Sequence, residues 1–391
     1  SIKSEVGDRS VFLLASGGVD STVAARLLGA ALKPEQLHLL HVDHGLMRKD
    51  ESKEVLSAFK DMGLDTNLHF VDASGEFLSA LEGVIEPEKK RMIIGNTFLD
   101  VFDREARKLG LENDLLGQGT IYPDTVETGG TKRADTIKTH HNRVPLIEEL
   151  IAVGKVVEPL VELYKVEVRE LGEKLGVPSN MIWRHPFPGA GLGVRLLCSD
   201  GVVDISDSEL ERLSIAVQGT LAETELQSVT LPIRSVGVKA DLRVYEHPVL
   251  LHGNASWSQL EQAAGRIFNQ VKGVNRCIWN LTDSMPREFG ILPATMTRER
   301  LDLLREVDHI VMQALERHNV YREVWQCPTV LVPLEIDGKG REFCIVRPVY
   351  SERAMSARPG RLSRELLDEL RDAIMSCLLY TSDAADDDRS V

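Results

Sequence analysis

The sequence predicts an α/β fold, a doubly wound parallel sheet followed by an α+β domain. Three observations carry this expectation. Short continuous apolar runs, suited to strands buried on both faces, alternate with amphipathic helical stretches through the first half of the chain. Several of these runs end in glycine or polar turns, at Ser16–Gly18, Asp43–Gly45 and Gly117–Gly119. At 391 residues the chain is too long for one compact core, and its second half changes texture toward separated strands and long helices.

The first apolar run is Val11-Phe12-Leu13-Leu14-Ala15. After a glycine turn, Val23, Ala24, Leu27, Leu28 and Ala31 recur at helical spacing, and Pro34 stops that helix. Leu37 to Asp43 reads as the second strand, so the series fills about 30 residues, the size of one βαβ unit. Residues 51–62 read as a helix, Leu68 to Val71 as a third strand, and 87–109 as a long helix with Met92, Ile93, Phe98, Phe102 and Leu109 inward. Asp114-Leu115-Leu116 leads as a strand into Gly117-Gln118-Gly119. Ligands of such sheets bind outside the carboxyl ends of the strands, where all three turns fall.

Residues 120–143 are polar and without clear period, which reads as a functional lid or a disordered loop. Helical patterns return at 145–153 and 163–176, and His185-Pro186-Phe187-Pro188-Gly189-Ala190-Gly191 then breaks regular structure. Beyond it, Leu231–Val238, Leu242–Tyr245, Arg276–Leu281, Thr329–Leu334 and Phe343–Val349 read as strands, with helices at about 256–272, 297–318 and 361–375. These form an α+β domain with a mostly antiparallel sheet. The expected division is 1–198 for the nucleotide domain, 199–377 for the second domain and 378–391 for a non-native tail.

Composition narrows the function classes. Hydrophobic residues are 43% and charged residues 27%, the mix of a globular enzyme. No run of about 18 apolar residues suggests a membrane span, and no apolar leader suggests secretion. The five cysteines are scattered without a Cys-x-x-Cys pair, which argues against a disulfide framework or zinc site and for a cytoplasmic protein. A net charge of −14 argues against nucleic acid as the main partner.

The chemistry concentrates in Ser16-Gly17-Gly18-Val19-Asp20-Ser21. A strand that ends in Ser-Gly-Gly and enters a helix aims several backbone amides at one point, and the helix N-terminus favours an anion there. Ser16 and Ser21 add hydroxyls. No Gly-Lys-Ser/Thr follows, so this is not a Walker A loop. It carries Asp20 instead, and a carboxylate beside phosphates calls for a bridging cation, so Asp20 is the expected Mg²⁺ ligand. The plain alternative is a serine-capped glycine turn. It suits a bare Gly-Gly but not the full string between a buried strand and an amphipathic helix.

That string resembles the signature of the PP-loop ATP pyrophosphatases. Further segments resemble the GMP synthase family: Val42-Asp43-His44-Gly45-Leu46-Met47-Arg48-Lys49, Glu88 to Gly95, Gly117 to Asp124, Ile137-Lys138-Thr139-His140-His141-Asn142 and Arg184 to Gly189. The likeness runs through residues 10–198. It continues more weakly through Val236 to Asp241, Gln326-Cys327-Pro328 and Arg347 to Gly360, like the family's dimerisation domain with an insertion around 200–330. The resemblance implies an adenine nucleotide alpha hydrolase-like PP-loop domain that uses ATP and Mg²⁺ to adenylate XMP, with ammonia then displacing AMP to give GMP. It implies ATP contacts at Ser16, Gly17, Gly18, Val19, Asp20, Ser21, Val42 and Gly117. It also implies a catalytic Lys138 that stabilises charge on the α-phosphorus, and XMP contacts at Arg91 and Asp241. A solvated basic face is the alternative for Arg91 beside Lys89 and Lys90; His140 and His141 read as lid packing or phosphate contacts. The family is homodimeric and draws ammonia from a glutaminase domain or subunit.

Three departures stand out. No cysteine precedes Cys198, so no glutamine hydrolysis is expected from this chain. The family's closing Lys-Pro-Pro-x-Thr-x-Glu-Trp-Glu segment is missing; the match stops near Ile374, and Leu378 to Asp388 reads like sequencing read-through. Ala190 and Gly193 stand where the family has proline and alanine, and Glu323 where it has lysine. Two competing readings remain: another PP-loop enzyme, such as NAD synthetase or a tRNA thiolase, and an inactive nucleotide-binding fragment.

Overall fold

A computed structural model describes residues 2–111, 114–122, 124, 154–239, 242–338, 340–352 and 356–386. The chain divides into two compact units. The first comprises Ser1–Glu82, Pro87–Val194 and Glu352–Ser356; the second comprises Gly83–Glu86, Arg195–Ser351 and Ala357–Val391.

In the first unit a short helix α1 (Ile2–Val6) precedes β1 (Val11–Leu14), α2 (Val19–Ala31), β2 (Leu37–Asp43), α3 (Glu51–Asp61), β3 (Leu68–Asp72), α4 (Ser74–Ala80), α5 (Pro87–Lys108), β4 (Leu115–Gly117), β5 (Val156–Val157), α6 (Lys165–Lys174) and α7 (Ser179–Ile182). The strands form one sheet in the order β3-β2-β1-β4-β5, and every pairing is parallel. This is the predicted α/β fold. The order reverses direction at β1, so the crevice between the ends of β1 and β4 is the topological switch point.

Side-chain alternation along β1 explains why the sheet is covered on both faces. Val11 and Leu13 join Val23, Leu28, Leu39, Phe59 and Met181 in one buried cluster. Phe12 points the other way and stacks on Phe102 of α5 with ring centroids 5.0 Å apart. Burying each such side chain contributes roughly 1.5–3 kcal/mol before entropy is counted. Met92, expected inward, is instead 56% exposed. The buried stripe of α5 runs through Lys90, Ile94, Val101 and Glu105, spaced four and seven apart. Phe98 and Phe102 do pack inward, on Phe77 and Phe12, but two members of the buried stripe are charged, so counting apolar residues caught only part of the face. Glu105 is held by Arg104 and Lys108, each at 3.2 Å, which keep its carboxyl below the usual range despite the opposing cost of burial.

In the second unit, after the short β6 (Ser199–Asp200), come α8 (Asp207–Thr220), β7 (Gln227–Thr230), β8 (Ser235–Lys239) and the long β9 (Leu242–His252). Then follow α9 (Trp257–Gln270), β10 (Val274–Trp279), β11 (Phe289–Ile291), β12 (Pro293–Ala294), α10 (Arg298–Arg317), β13 (Thr329–Val332), β14 (Leu334–Ile336), β15 (Phe343–Val346) and a final helix, α11 (Arg364–Asp386). β9 is the centre: β7 and β8 pair with it antiparallel, and β10 pairs with it parallel. The expected single strand from Leu231 to Val238 is broken around Pro232, which cannot donate to a ladder. Helix α8 escaped the apolar pattern, although Ser206 caps it by accepting from the Glu209 amide at 3.3 Å, the Ser-x-x-Glu start signal. A separate core forms from Leu213, Val217, Val249, Ala263, Ile267 and Val274. Among the described residues no helix is long and apolar enough to cross a membrane.

Candidate active site

The loop between β1 and α2 lies at the switch point and is shaped by what surrounds it. Gly17 adopts φ +79°, and a Cβ there would stand 2.3 Å from Cγ2 of Val55. Only glycine meets both conditions. Gly18 is the N-cap of α2 and offers no side-chain oxygen to the first turn. The helix therefore opens without a side-chain cap, which suits an external anion as acceptor for its first amides. The hydroxyls line up beside it: Ser16 Oγ and Ser21 Oγ are 3.0 Å apart, and Ser21 Oγ donates to the Gly18 carbonyl at 3.0 Å.

Gly119, after β4, meets this loop from the other side of the crevice. A Cβ on Gly119 would lie 3.0 Å from the Asp20 carbonyl carbon and the Ser21 nitrogen. Its bareness lets the two loops touch backbone to backbone. Gly117 was expected to leave room for nucleotide. Its own close neighbours are Val11 and Leu13 of β1, with a Cβ meeting them at 3.0–3.3 Å. Strand packing therefore already accounts for glycine at 117.

Asp20 is the charged centre of the loop. Its Oδ2 takes the Lys165 ammonium at 2.5 Å, and its Oδ1 is buried without a hydrogen-bond partner. An orphaned carboxylate oxygen beside an anion-directed helix end fits a hard cation. Among the described residues no cluster of three or more acidic, histidine or cysteine side chains could hold a metal. Magnesium held by one carboxylate plus phosphate oxygens needs no such cluster. Lys165 was not singled out in the sequence. It opens α6, whose first turn is fixed by Glu167 accepting from the Tyr164 amide at 2.8 Å. A signal was present in Lys165-Val-Glu-Val-Arg169, a basic helix start, but nothing in one dimension linked it to Asp20. Arg169, one turn on, lies with its guanidinium 5.0 Å from the Trp183 ring; burial lowers its pKa while the Asp20 charge partly restores it.

The turn after β2 and the segment after α7 fold together. Val42 lies two residues beyond Leu40, the last β2 partner of β1, at the carboxyl edge of the sheet. Leu192 donates to the Leu46 carbonyl at 2.7 Å, and Gly191, at φ +56°, could carry no Cβ because Leu46 O would be 2.2 Å away. The Arg48 guanidinium covers the Phe187 ring at 4.5 Å. His44 is buried in this joint, and burial pushes its pKa down to about 4. Arg184 reaches both loops through Glu51, Glu54 and the Gly17 carbonyl.

Ser16, Gly17, Gly18, Val19, Asp20 and Ser21 thus share one loop and helix start, and Val42 and Gly117 lie on β2 and β4, the strands beside β1. Arg91 is half-buried near the start of α5, its Nε without a hydrogen-bond partner, and its neighbour Lys90 is fully buried rather than part of a solvated basic face. Lys138, His140, His141 and Asp241 lie outside the described residues.

Comparison with known proteins adds the following. No protein-family model matches the chain. It is 40% identical over 375 residues to a probable glutamine-hydrolysing GMP synthase of Leptospira interrogans, covering 94% of this chain and 60% of that protein. It is 34% identical over 437 residues to the GMP synthase of Dictyostelium discoideum, covering 96% and 61%. The GMP synthase of Syntrophomonas wolfei is 44% identical over 308 residues, covering 73% of this chain and 58% of that one. The chain therefore spans about 60% of the length of the curated relatives it matches. Among solved structures, an NAD⁺ synthetase from Burkholderia pseudomallei aligns with a TM-score of 0.34 and 19% identity, over 49% of this chain and 68% of that one.

Proposed function

We propose that this chain, a homologue of the GMP synthases along 94% of its length, carries out the ATP-dependent amination of XMP. The observation that carries the reading is the loop Ser16–Ser21: an anion-directed helix start at the switch point of a parallel sheet, with a carboxylate that has one oxygen unpaired. In the proposed reaction the C2 oxygen of XMP attacks the α-phosphorus of ATP, pyrophosphate leaves, and ammonia attacks C2 to expel AMP. Ser16, Gly17, Gly18, Val19 and Ser21 hold the departing pyrophosphate through amides and hydroxyls. Asp20 holds Mg²⁺, which offsets phosphate charge when bound. Lys165 lies 2.5 Å from Asp20 and supplies a second positive charge at the same place. Val42 and Gly117 flank the adenine side, and Lys138 stabilises charge on the α-phosphorus. Arg91 and Asp241 contact XMP. The ammonia is free or comes from a glutaminase domain or subunit, and residues 199–377 support a homodimer.

The test is to mix the chain with ATP, Mg²⁺, XMP and ammonium and to follow pyrophosphate and GMP. XMP-dependent release of both is expected in equal amounts. Pyrophosphate released only with another acceptor would reassign the substrate, and ATP binding without turnover would reduce the chain to a nucleotide-binding fragment. Sedimentation at micromolar concentration checks the dimer.

A further inference from the structure

Arg184 takes no part in the steps above, yet three parts of the first unit converge on it. Its side chain is only 9% exposed. Nη1 lies 3.1 Å from Glu51 Oε1, and Nη2 lies 2.8 Å from Glu54 Oε2. Nη1 also donates to the Gly17 carbonyl at 3.5 Å. The other Glu51 oxygen accepts from the Arg48 amide at 2.9 Å, so the turn before α3 is tied into the same group. Arg184 Nη1 and Val55 Cγ2 also close the space a Gly17 Cβ would need, at 3.2 and 2.3 Å. Arg184 and α3 together make the floor under Gly17.

That floor has a directional consequence. The Gly17–Gly18 peptide is trans, so its carbonyl and its N–H point in opposite directions. Holding the Gly17 carbonyl on the Arg184 side turns the Gly18 N–H away from the floor, toward Ser16 Oγ at 3.4 Å, where the Ser16 and Ser21 hydroxyls gather. The guanidinium is itself occupied by two carboxylates, which leaves it little capacity for a phosphate.

We infer that Arg184 is a positioning residue: it aims the Gly18 amide of the anion-binding loop by holding the Gly17 carbonyl, and it does so without touching the nucleotide. This rests on the reading of Ser16–Ser21 as the pyrophosphate site. The neutral Arg184→Gln tests it, with Arg184→Lys as the conservative variant. Glu54→Gln is the mild one, since the Glu54 side chain is 54% exposed and its loss leaves the core intact. The first readout is amide exchange of Gly18 and Thr22, which donate to Ser16 Oγ and the Gly18 carbonyl, in the ligand-free protein. Arg184→Gln should speed it about tenfold, the scale of one lost charge-assisted hydrogen bond. Arg184→Lys should restore part of the protection, and Glu54→Gln should move it in the same direction by less, with β10 amides unchanged in all three. The second readout is MgATP turnover, where KM for ATP should rise in Arg184→Gln more than kcat falls. Unchanged exchange of Gly18 and Thr22 in both Arg184→Gln and Glu54→Gln overturns the inference. If Arg184→Gln does not fold, the Glu54→Gln result decides alone. A wild-type chain that binds no MgATP removes the nucleotide assignment of the loop, while the exchange measurement still decides whether Arg184 holds it.

Discussion

At the scale of single residues, two positions yield sharp expectations. Gly17 combines positive φ with a Cβ position 2.3 Å from Val55. Gly17→Ala should cost about 2–4 kcal/mol, from the left-handed backbone and the overlap together. Val55→Ala in the same chain should recover the overlap part, so the double mutant should be more stable than the sum of the singles predicts. Simple additivity in urea titrations would show that Val55 is not the obstacle. His44 gives a pH dependence with a definite sign. Its pKa falls from 6.5 to about 4 through burial. Between those values the unfolded chain binds a proton that the folded chain refuses. The contribution is therefore complete above pH 6.5 and lost as pH falls toward 4, by about 2–3 kcal/mol. Replacing His44 by Asn, whose side-chain oxygen can still accept from the Leu46 amide, should flatten the stability curve over that window. An undiminished acid loss in His44→Asn would assign the effect to other groups.

At the scale of elements, α6 is the part to perturb. Its start delivers Lys165 to Asp20, and the Glu167 contact to the Tyr164 amide fixes that start. Removing the ammonium with Lys165→Ala should weaken MgATP binding by about tenfold, the scale of one charge-assisted contact. Glu167→Ala leaves the ammonium in place but loosens the first turn by about 1 kcal/mol, so it should reproduce a smaller part of that loss. Asp20→Asn should remove the dependence of ATP affinity on Mg²⁺ while leaving Lys165 present. Calorimetric titration of the three variants separates these roles, and equal affinities in Lys165→Ala and wild type would make Lys165 a partner of Asp20 only. The same scale shows why hydropathy read α5 only in part. Lys90 and Glu105 occupy its buried stripe, and a charge inside is invisible to a count of apolar residues.

For the whole molecule, the relevant fact is that the two units carry separate apolar cores, one around Leu28 and Phe59 and one around Ile267 and Val249. Leu28 and Ile267 are both fully buried. Leu28→Ala and Ile267→Ala should each cost about 3 kcal/mol, and the double variant should cost their sum within about 0.5 kcal/mol. Scanning calorimetry checks this, and a double variant well off the sum would mean that the cores are energetically coupled.

The strands and helices of the first unit were legible because each is local: buried parallel strands read as apolar runs, Pro34 ends a helix, and Ser16–Ser21 is a contiguous string. The geometry of the loop was legible for the same reason, since the glycines and the helix start that shape it are neighbouring residues. Helix α8 and the break at Pro232 were written in the chain as a cap and a proline, but the strand pattern around them was weaker. What no reading along the chain could supply was distance. Lys165 is 145 residues from Asp20, and Arg184 is 167 residues from Gly17. Their partnership exists only because the sheet order β3-β2-β1-β4-β5 gathers loops from remote parts of the chain at one edge. The sequence by itself therefore determined the fold class of the first unit and the glycine-rich loop between β1 and α2. The tertiary structure decided which distant charges meet that loop, because ion pairing depends on separation in space, and chain folding sets that separation.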